Sequence, residues 1–303
     1  MSVAEPYRGP ELIDFLEGYP GPADVPYLGG SISIVAALLY RDGIRLDWRI
    51  HAMPDLSRID TEDEDLASSP RSAWTTPRQM DRSLAGRRVD DLWLQATLLD
   101  DRGTEYRIPG PGSGRLDDTG WEGRFSYLSS EPPVGLRSVT IRLPDKDIII
   151  PLEHDSARSS DFLAGYRGPI ATIAFHGGSL KVISALVYQA KVVIELLSRP
   201  LPDLPWISID EEQLSKTVGK LGGGDELTAS FRAHRRLFKL WTDARLTDSQ
   251  QTSYVNNGAH GNTVPGGYKG EIEFSPGPSP GTTHLNLTLD QFSISIPLDD
   301  RQR

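Results

Sequence analysis

"GGSISIVAALLY" (29–40) and "GGSLKVISALVY" (177–188) are two versions of one stretch, set 148 residues apart. "PDL" at 54–56 returns at 202–204 with the same spacing. Further on, "TGWEGRFSY" (119–127) matches "GGYKGEIEF" (266–274) at an offset of 147, and "IIIPLE" (148–153) matches "ISIPLD" (294–299) at 146. Tyr7-Arg8-Gly9-Pro10 and Tyr166-Arg167-Gly168-Pro169 form another matching pair, which this reading places at the start of each copy. It leaves the first copy longer by an insertion carrying Leu12, Ile13, Phe15 and Leu16. Two long units whose offset drifts by only two residues predict two tandem copies of one fold. A solenoid or propeller would repeat at shorter and more numerous periods.

Within each copy the hydrophobic period is two. "SISIVAALLY" alternates and then turns fully apolar, "RDG" (41–43) is a turn signal, and "IRLDWRI" (44–50) alternates Ile44, Leu46, Trp48 and Ile50. That pattern predicts a hairpin. "DLWLQATLL" (91–99), the turn "DDRG" (100–103) and "TEYRI" (104–108) predict a second one. "WEGRFSYL" (121–128), "LRSVTIRL" (136–143) and "DIIIPL" (147–152) complete the set. In the second copy "LKVISALVYQAKVVIELL", "RRLFKLWTDARL" (235–246), "TSYV", "YKGEIEF", "HLNLTL" and "FSISIPL" read as strands, while "DEEQLSKTVGKLG" (210–222) fits a short helix or a loop. Short strands with turn residues between them predict an all-β protein of two tandem immunoglobulin-like antiparallel β-sandwich domains. The first spans 1–155, with an N-terminal extension and an acidic, Pro-rich loop at 57–88; a polar linker covers 156–165, and the second domain spans 166–303.

The succession of "WEG", Phe, a Pro-rich loop, alternating Leu and "IPL" resembles the C-terminal half of β-sandwich modules in uncharacterised actinobacterial proteins. More loosely, it is similar to the Ig-like ectodomains of bacterial anti-sigma factors. The resemblance implies a fold and carries no catalytic residue with it. The excess of Arg over Lys, with plentiful Gly, Pro and Asp, resembles the usage of high-GC actinobacteria.

The chain has 303 residues and a formal net charge of −10. Residues 1–155 hold 27 acidic against 17 basic side chains, and the remainder is balanced. The acidic half repels phosphate backbones, which argues against nucleic acid as a partner. No run approaches the ~20 apolar residues of a membrane span. Glu11, Asp14 and Glu17 interrupt the N-terminal segment, so no signal peptide is read there and a cytoplasmic location is expected. The absence of Cys removes disulfides, thiolate metal sites and Cys nucleophiles.

Catalytic and metal patterns are not found. The six His show no zinc-site spacing, and none has a His counterpart in the other copy: Leu28 stands opposite His176, and Arg199 opposite His51. "TEDEDL" (61–66) lacks the alternation of a calcium loop and reads as a solvated acidic loop. "IPGPGSGRLDDTG" (108–120) and its counterpart "NNGAHGNTVPGG" (256–267) are Gly-rich, but a strand rather than a helix follows, so they read as β–β connections rather than phosphate loops. Paired carboxylates such as Asp100-Asp101 sit at turns, where neighbours on a strand face opposite ways. The expectation is therefore a non-enzymatic protein without cofactor or metal. It would act as a protein–protein interaction or scaffold module with a protein partner, without membrane insertion. The alternative is a carbohydrate- or small-ligand-binding protein, with an unrecognised enzyme third. Trp74, in the polar loop "SSPRSAWTTPRQ" (68–79), is the first binding candidate, with Tyr254 and His260 beside it.

Overall fold

A computed structural model describes residues 12, 15–52, 54–56, 88–106, 113–117, 120–128, 132–153, 161–168, 172–220, 225–264 and 266–298. The chain divides into two compact units, Met1–Asp161 and Phe162–Arg303. Both are mostly β, with antiparallel pairing throughout.

In the first unit β1 (Phe15–Pro20), β2 (Val25–Tyr27), β3 (Gly30–Tyr40) and β4 (Gly43–Ala52) lead to α1, of which 88–95 is described. Then follow β5 (Thr97–Asp100), β6 (Glu105–Tyr106), β7 (Ser113–Asp117), β8 (Gly120–Leu128), β9 (Ser138–Leu143) and β10 (Lys146–Pro151). One sheet has the order β1-β3-β4-β8-β7 with β2 on β3; the other runs β10-β9-β5-β6. The second unit has β11 (Phe162–Arg167), β12 (Ile173–Phe175), β13 (Gly178–Tyr188), β14 (Val192–Ser198), α2 (Glu211–Lys220) and α3 (Asp225–Thr242). It closes with β15 (Arg245–Asp248), β16 (Ser253–Val264), β17 (Gly267–Ser275), β18 (His284–Leu289) and β19 (Phe292–Pro297). Its strands form one path, β11-β13-β14-β17-β16-β15-β18-β19, with β12 on β13. That sheet is barrel-like and nearly closed, which differs from the two separate sheets of an immunoglobulin-like sandwich.

The reason for the difference is β16. It pairs β15 through Leu246↔Tyr254 at its start and β17 from Val255↔Ser275 onward, so a single strand belongs to both halves of the sheet. A bulge between Asn256 and Gly258, with Gly258 at φ 130°, bends it at the change-over. The expected Gly-rich connection at 256–267 is therefore largely strand. Ser113–Asp117 of the corresponding 108–120 stretch is strand as well.

The duplication recurs across most of the described elements, but its first landmark lies elsewhere than expected. β1 reads Phe15-Leu16-Glu17-Gly18-Tyr19-Pro20 and β11 reads Phe162-Leu163-Ala164-Gly165-Tyr166-Arg167. Each carries a bulge after its Phe, opposite Tyr40 in one and Tyr188 in the other. The Phe15–Tyr40 rings meet edge-on at 5.5 Å, and the Phe162–Tyr188 rings at 5.4 Å. The counterpart of Tyr166-Arg167-Gly168-Pro169 is thus Tyr19-Pro20-Gly21-Pro22, not the earlier Tyr7-Arg8-Gly9-Pro10, which lies outside the described residues. Gly21 and Gly168 explain part of the motif: a Cβ would stand 2.4 Å from the Ile34 carbonyl oxygen in one and 2.1 Å from that of Val182 in the other. The stretch 156–165 expected as a linker ends inside β11, with Phe162 buried and Leu163 exposed.

Two expected strands are helices. Residues 91–95 of "DLWLQATLL" belong to α1, and only Thr97–Asp100 is strand. "RRLFKLWTDARL" is the end of α3, and strand begins at Arg245. Val89, Leu92, Trp93 and Ala96 are buried at i, i+3, i+4 and i+7, and so are Leu237, Leu240, Trp241 and Ala244. That is one face of a helix laid across a sheet. Trp93 packs 5.2 Å from Trp48 and 5.4 Å from Phe125; Trp241 packs 5.3 Å from Tyr268. Gly270 makes room for Trp241, because a Cβ there would stand 2.4 Å from its ring and 2.2 Å from the His260 carbonyl oxygen. α2 takes the helical option at 210–222, with the Asp210 carboxylate accepting from the Gln213 amide at 2.9 Å as an N-cap.

The turn after β5 also recurs. Asp100 Oδ1 accepts from the Arg102 and Thr104 amides at 2.9 and 2.8 Å, and Oδ2 from the Tyr106 hydroxyl at 3.2 Å. Asp248 does the same with Gln250, Thr252 and Tyr254 at 2.8, 2.9 and 2.8 Å. Burial pushes both carboxyls up, but these hydrogen bonds outweigh it and hold each below the ordinary Asp value. The turn carboxylate is a structural clamp that ties each hairpin to its own Tyr.

Candidate ligand cleft in the second unit

The "PDL" repeat positions the site. Asp203 N donates to the His176 carbonyl at 2.8 Å, as Asp55 N does to that of Leu28, and Leu204 and Leu56 are buried beside them. The accepting residues sit in the tight turn before the long strand, His176 at φ 46° and Leu28 at φ 43°. This clamp fixes the loop after β14, so that Trp206, two residues past Leu204, is held at the surface with 51% of its area exposed.

Trp206, Ile207 and Ser208 form one wall of a cleft of about 480 Å³. Lys239, Leu240 and Asp243 at the end of α3, Arg245 of β15, Thr288 of β18 and Asp290 of the following turn complete it. Behind the indole stands an aromatic buttress. His176 lies 4.4 Å from Trp206, 4.5 Å from Phe175 and 5.0 Å from Phe292, each edge-on, and its Nε2 is 3.5 Å from Asp290 Oδ2. At the rim Lys239 Nζ pairs with Asp243 at 2.7 and 2.5 Å. Among the described residues Arg245 makes no ion pair or side-chain hydrogen bond. The cleft thus offers a planar apolar surface, an apolar floor in buried Leu240, two hydroxyls, carboxylates and a guanidinium.

The expected site residues are not gathered here. Trp74 and the acidic segment 61–66 lie outside the described residues. Tyr254 is buried, and its hydroxyl is committed to Asp248; burial first, then that bond, pushes its proton loss above the ordinary Tyr range. His260 is exposed on β16, opposite Glu271 of β17. Trp206 and Arg245 were not singled out. The signal for Trp206 is that it follows the repeated "PDL" by two residues, directly after Pro205. Among the described residues no group of three or more His, Asp or Glu stands together as a metal site, and no helix is long and apolar enough to cross a membrane.

No family model matches the chain. No curated protein matches it either. A solved structure described as the conserved domain protein from Bacillus anthracis is similar to 97% of this chain and 94% of its own, at 12% identity and a TM-score of 0.27. A likeness of that size carries no argument about fold or function.

Proposed function

We propose that this protein is a non-enzymatic binding protein whose second unit takes a carbohydrate or similar polyhydroxylated small ligand. The observation that carries the reading is Trp206: a half-exposed indole held rigidly by the loop clamp and the His176 buttress, over a cleft rimmed with hydrogen-bonding groups. An indole exposed beside hydrogen-bonding groups pairs a flat apolar face with polar partners, the combination that small-ligand sites use. The C–H face of a pyranose is a flat apolar surface that stacks on such a ring. Its hydroxyls need several donors and acceptors around the edge, as Ser208, Thr288, Asp243 and Asp290 provide.

Binding of a panel of mono- and oligosaccharides, measured by calorimetry on the parent protein and on Trp206→Ala, tests this. The expected result is saturable binding by the parent and at least a tenfold loss in the variant, with unchanged melting. Equal binding by the two, or no binding to any sugar, overturns the reading.

A protein partner is the second reading. Ile149, 59% exposed on β10 at one end of the four-stranded sheet, favours it, because an apolar side chain on an edge strand suits strand addition.

A further inference from the structure

The chemistry of Arg245 narrows the ligand class. Arg245 of β15 is paired across the ladder with Thr288 of β18, and Thr288 with Ser293 of β19. Directly paired residues share a face of the sheet, so these three side chains form one row. The matching row in the first unit is Thr97 of β5, Arg142 of β9 and Asp147 of β10. There Arg142 Nε meets Asp147 Oδ1 at 3.5 Å, and the row neutralises itself. In the second unit the cation stands one strand over, on β15, and the position of the carboxylate holds a serine. The row keeps a guanidinium and two hydroxyls but no anion. The two cleft carboxylates lie against other groups, Asp243 on Lys239 and Asp290 3.5 Å from His176 Nε2.

Among the described residues Arg245 has no counter-ion, and its guanidinium lines the same cleft as an exposed indole, a combination suited to a carboxylate. The guanidinium presents two parallel N–H donors that match the two carboxylate oxygens. Phosphate would satisfy the same fork, but Asp243 and Asp290 line the cleft and disfavour a doubly charged group more than a singly charged one. A peptide C-terminus would also present a carboxylate, but it brings few hydroxyl donors for Ser208, Thr288 and the two aspartates. We propose that the cleft is selective for acidic sugars, the uronic acids, with the pyranose ring on Trp206 and its carboxylate on Arg245. This rests on the carbohydrate reading above and adds to it the charge of the sugar and the residue that reads it.

The test uses galacturonate, glucuronate and mannuronate oligosaccharides, each beside its methyl ester, which keeps the shape and removes the charge. Calorimetry on the whole protein should show each bound acid preferred at least tenfold over its ester, with the preference shrinking as salt rises. Arg245→Gln should abolish the preference, bringing the acid down to the level of the ester. Arg245→Lys, which keeps the charge but loses the fork, should retain part of the preference. Equal affinity of acid and ester in the parent overturns the inference, as does a preference that survives Arg245→Gln, even if sugars bind. Binding of neutral sugars alone overturns it too. Binding of nothing overturns the carbohydrate reading with it.

Discussion

The first unit carries its own counter-charge where the second does not. Thr97, Arg142 and Asp147 close an ion pair across neighbouring strands, whereas the row of Arg245, Thr288 and Ser293 holds no anion. The scaffold beneath is shared: the same bulge beside the same Phe–Tyr pair, the same helix face, the same turn carboxylate clamped to a Tyr. The units differ in how the sheet is joined, through β16 in the second, and at the surface in an aromatic buttress and the position of an arginine. The two units thus share interior residues held by packing and differ in a surface row whose ion pair, where present, is more than half exposed and contributes little.

That division is broken most directly through the helices. Trp93→Ala and Trp241→Ala should each cost about 3–5 kcal/mol, the range for removing a fully buried Trp, and each should unfold its own unit first in a urea titration followed by NMR. If one variant melts like the parent, the two interiors are not equivalent. Gly270→Ala should cost roughly 1–3 kcal/mol, because the new methyl group meets Trp241 and the His260 carbonyl; a neutral result by thermal melting would mean that the indole lies elsewhere.

The turn clamps sharpen the comparison with pH. Asp100 and Asp248 both have folded values below the ordinary carboxylate value, so each contributes stability that is fully present above about pH 5. That stability fades as the pH falls through the ordinary Asp range toward the lower folded value. Asp248→Asn should cost about 1–3 kcal/mol at neutral pH and flatten the acid limb of the melting curve for the second unit alone. An acid limb identical to the parent's would remove the clamp from the account. The smallest effect is expected at the surface row. Asp147→Ser, which gives the first unit the second unit's residue, should shift stability by less than about 0.5 kcal/mol, since both partners are more than half exposed. A loss above 1 kcal/mol would show that the row was never free to change.

These features differ in how far the amino-acid order reveals them. Alternating Ile44, Leu46, Trp48 and Ile50 has one physical meaning, and β4 is where the period places it. The helices are harder to see because exposed apolar residues blur their stripe. Leu94 fills out Leu92-Trp93-Leu94, and Phe238 stands beside Leu237, so each run mimics a buried strand although Leu94 and Phe238 face water. Comparing the copies at the helix period, Val89 with Leu237 and Trp93 with Trp241, exposes the pattern that either copy alone conceals. The duplicated opening was misplaced for a related reason: Tyr7-Arg8-Gly9-Pro10 matches four letters, whereas Phe15 to Pro22 matches the spacing of a bulge, a ring contact and a close backbone approach. That Arg245 stands in a row without an anion is invisible in the chain order, because the charge of a row depends on which strands lie beside each other.

Strand β16 has a consequence for how the second unit comes apart. Being hydrogen-bonded to β15 near its start and to β17 along the rest, it transmits any loosening on one side to the other. Amides of β15 and β17 should therefore exchange with solvent at a common rate, set by one collective opening. A protease that cuts near the bend at Gly258 would release both flanks at once.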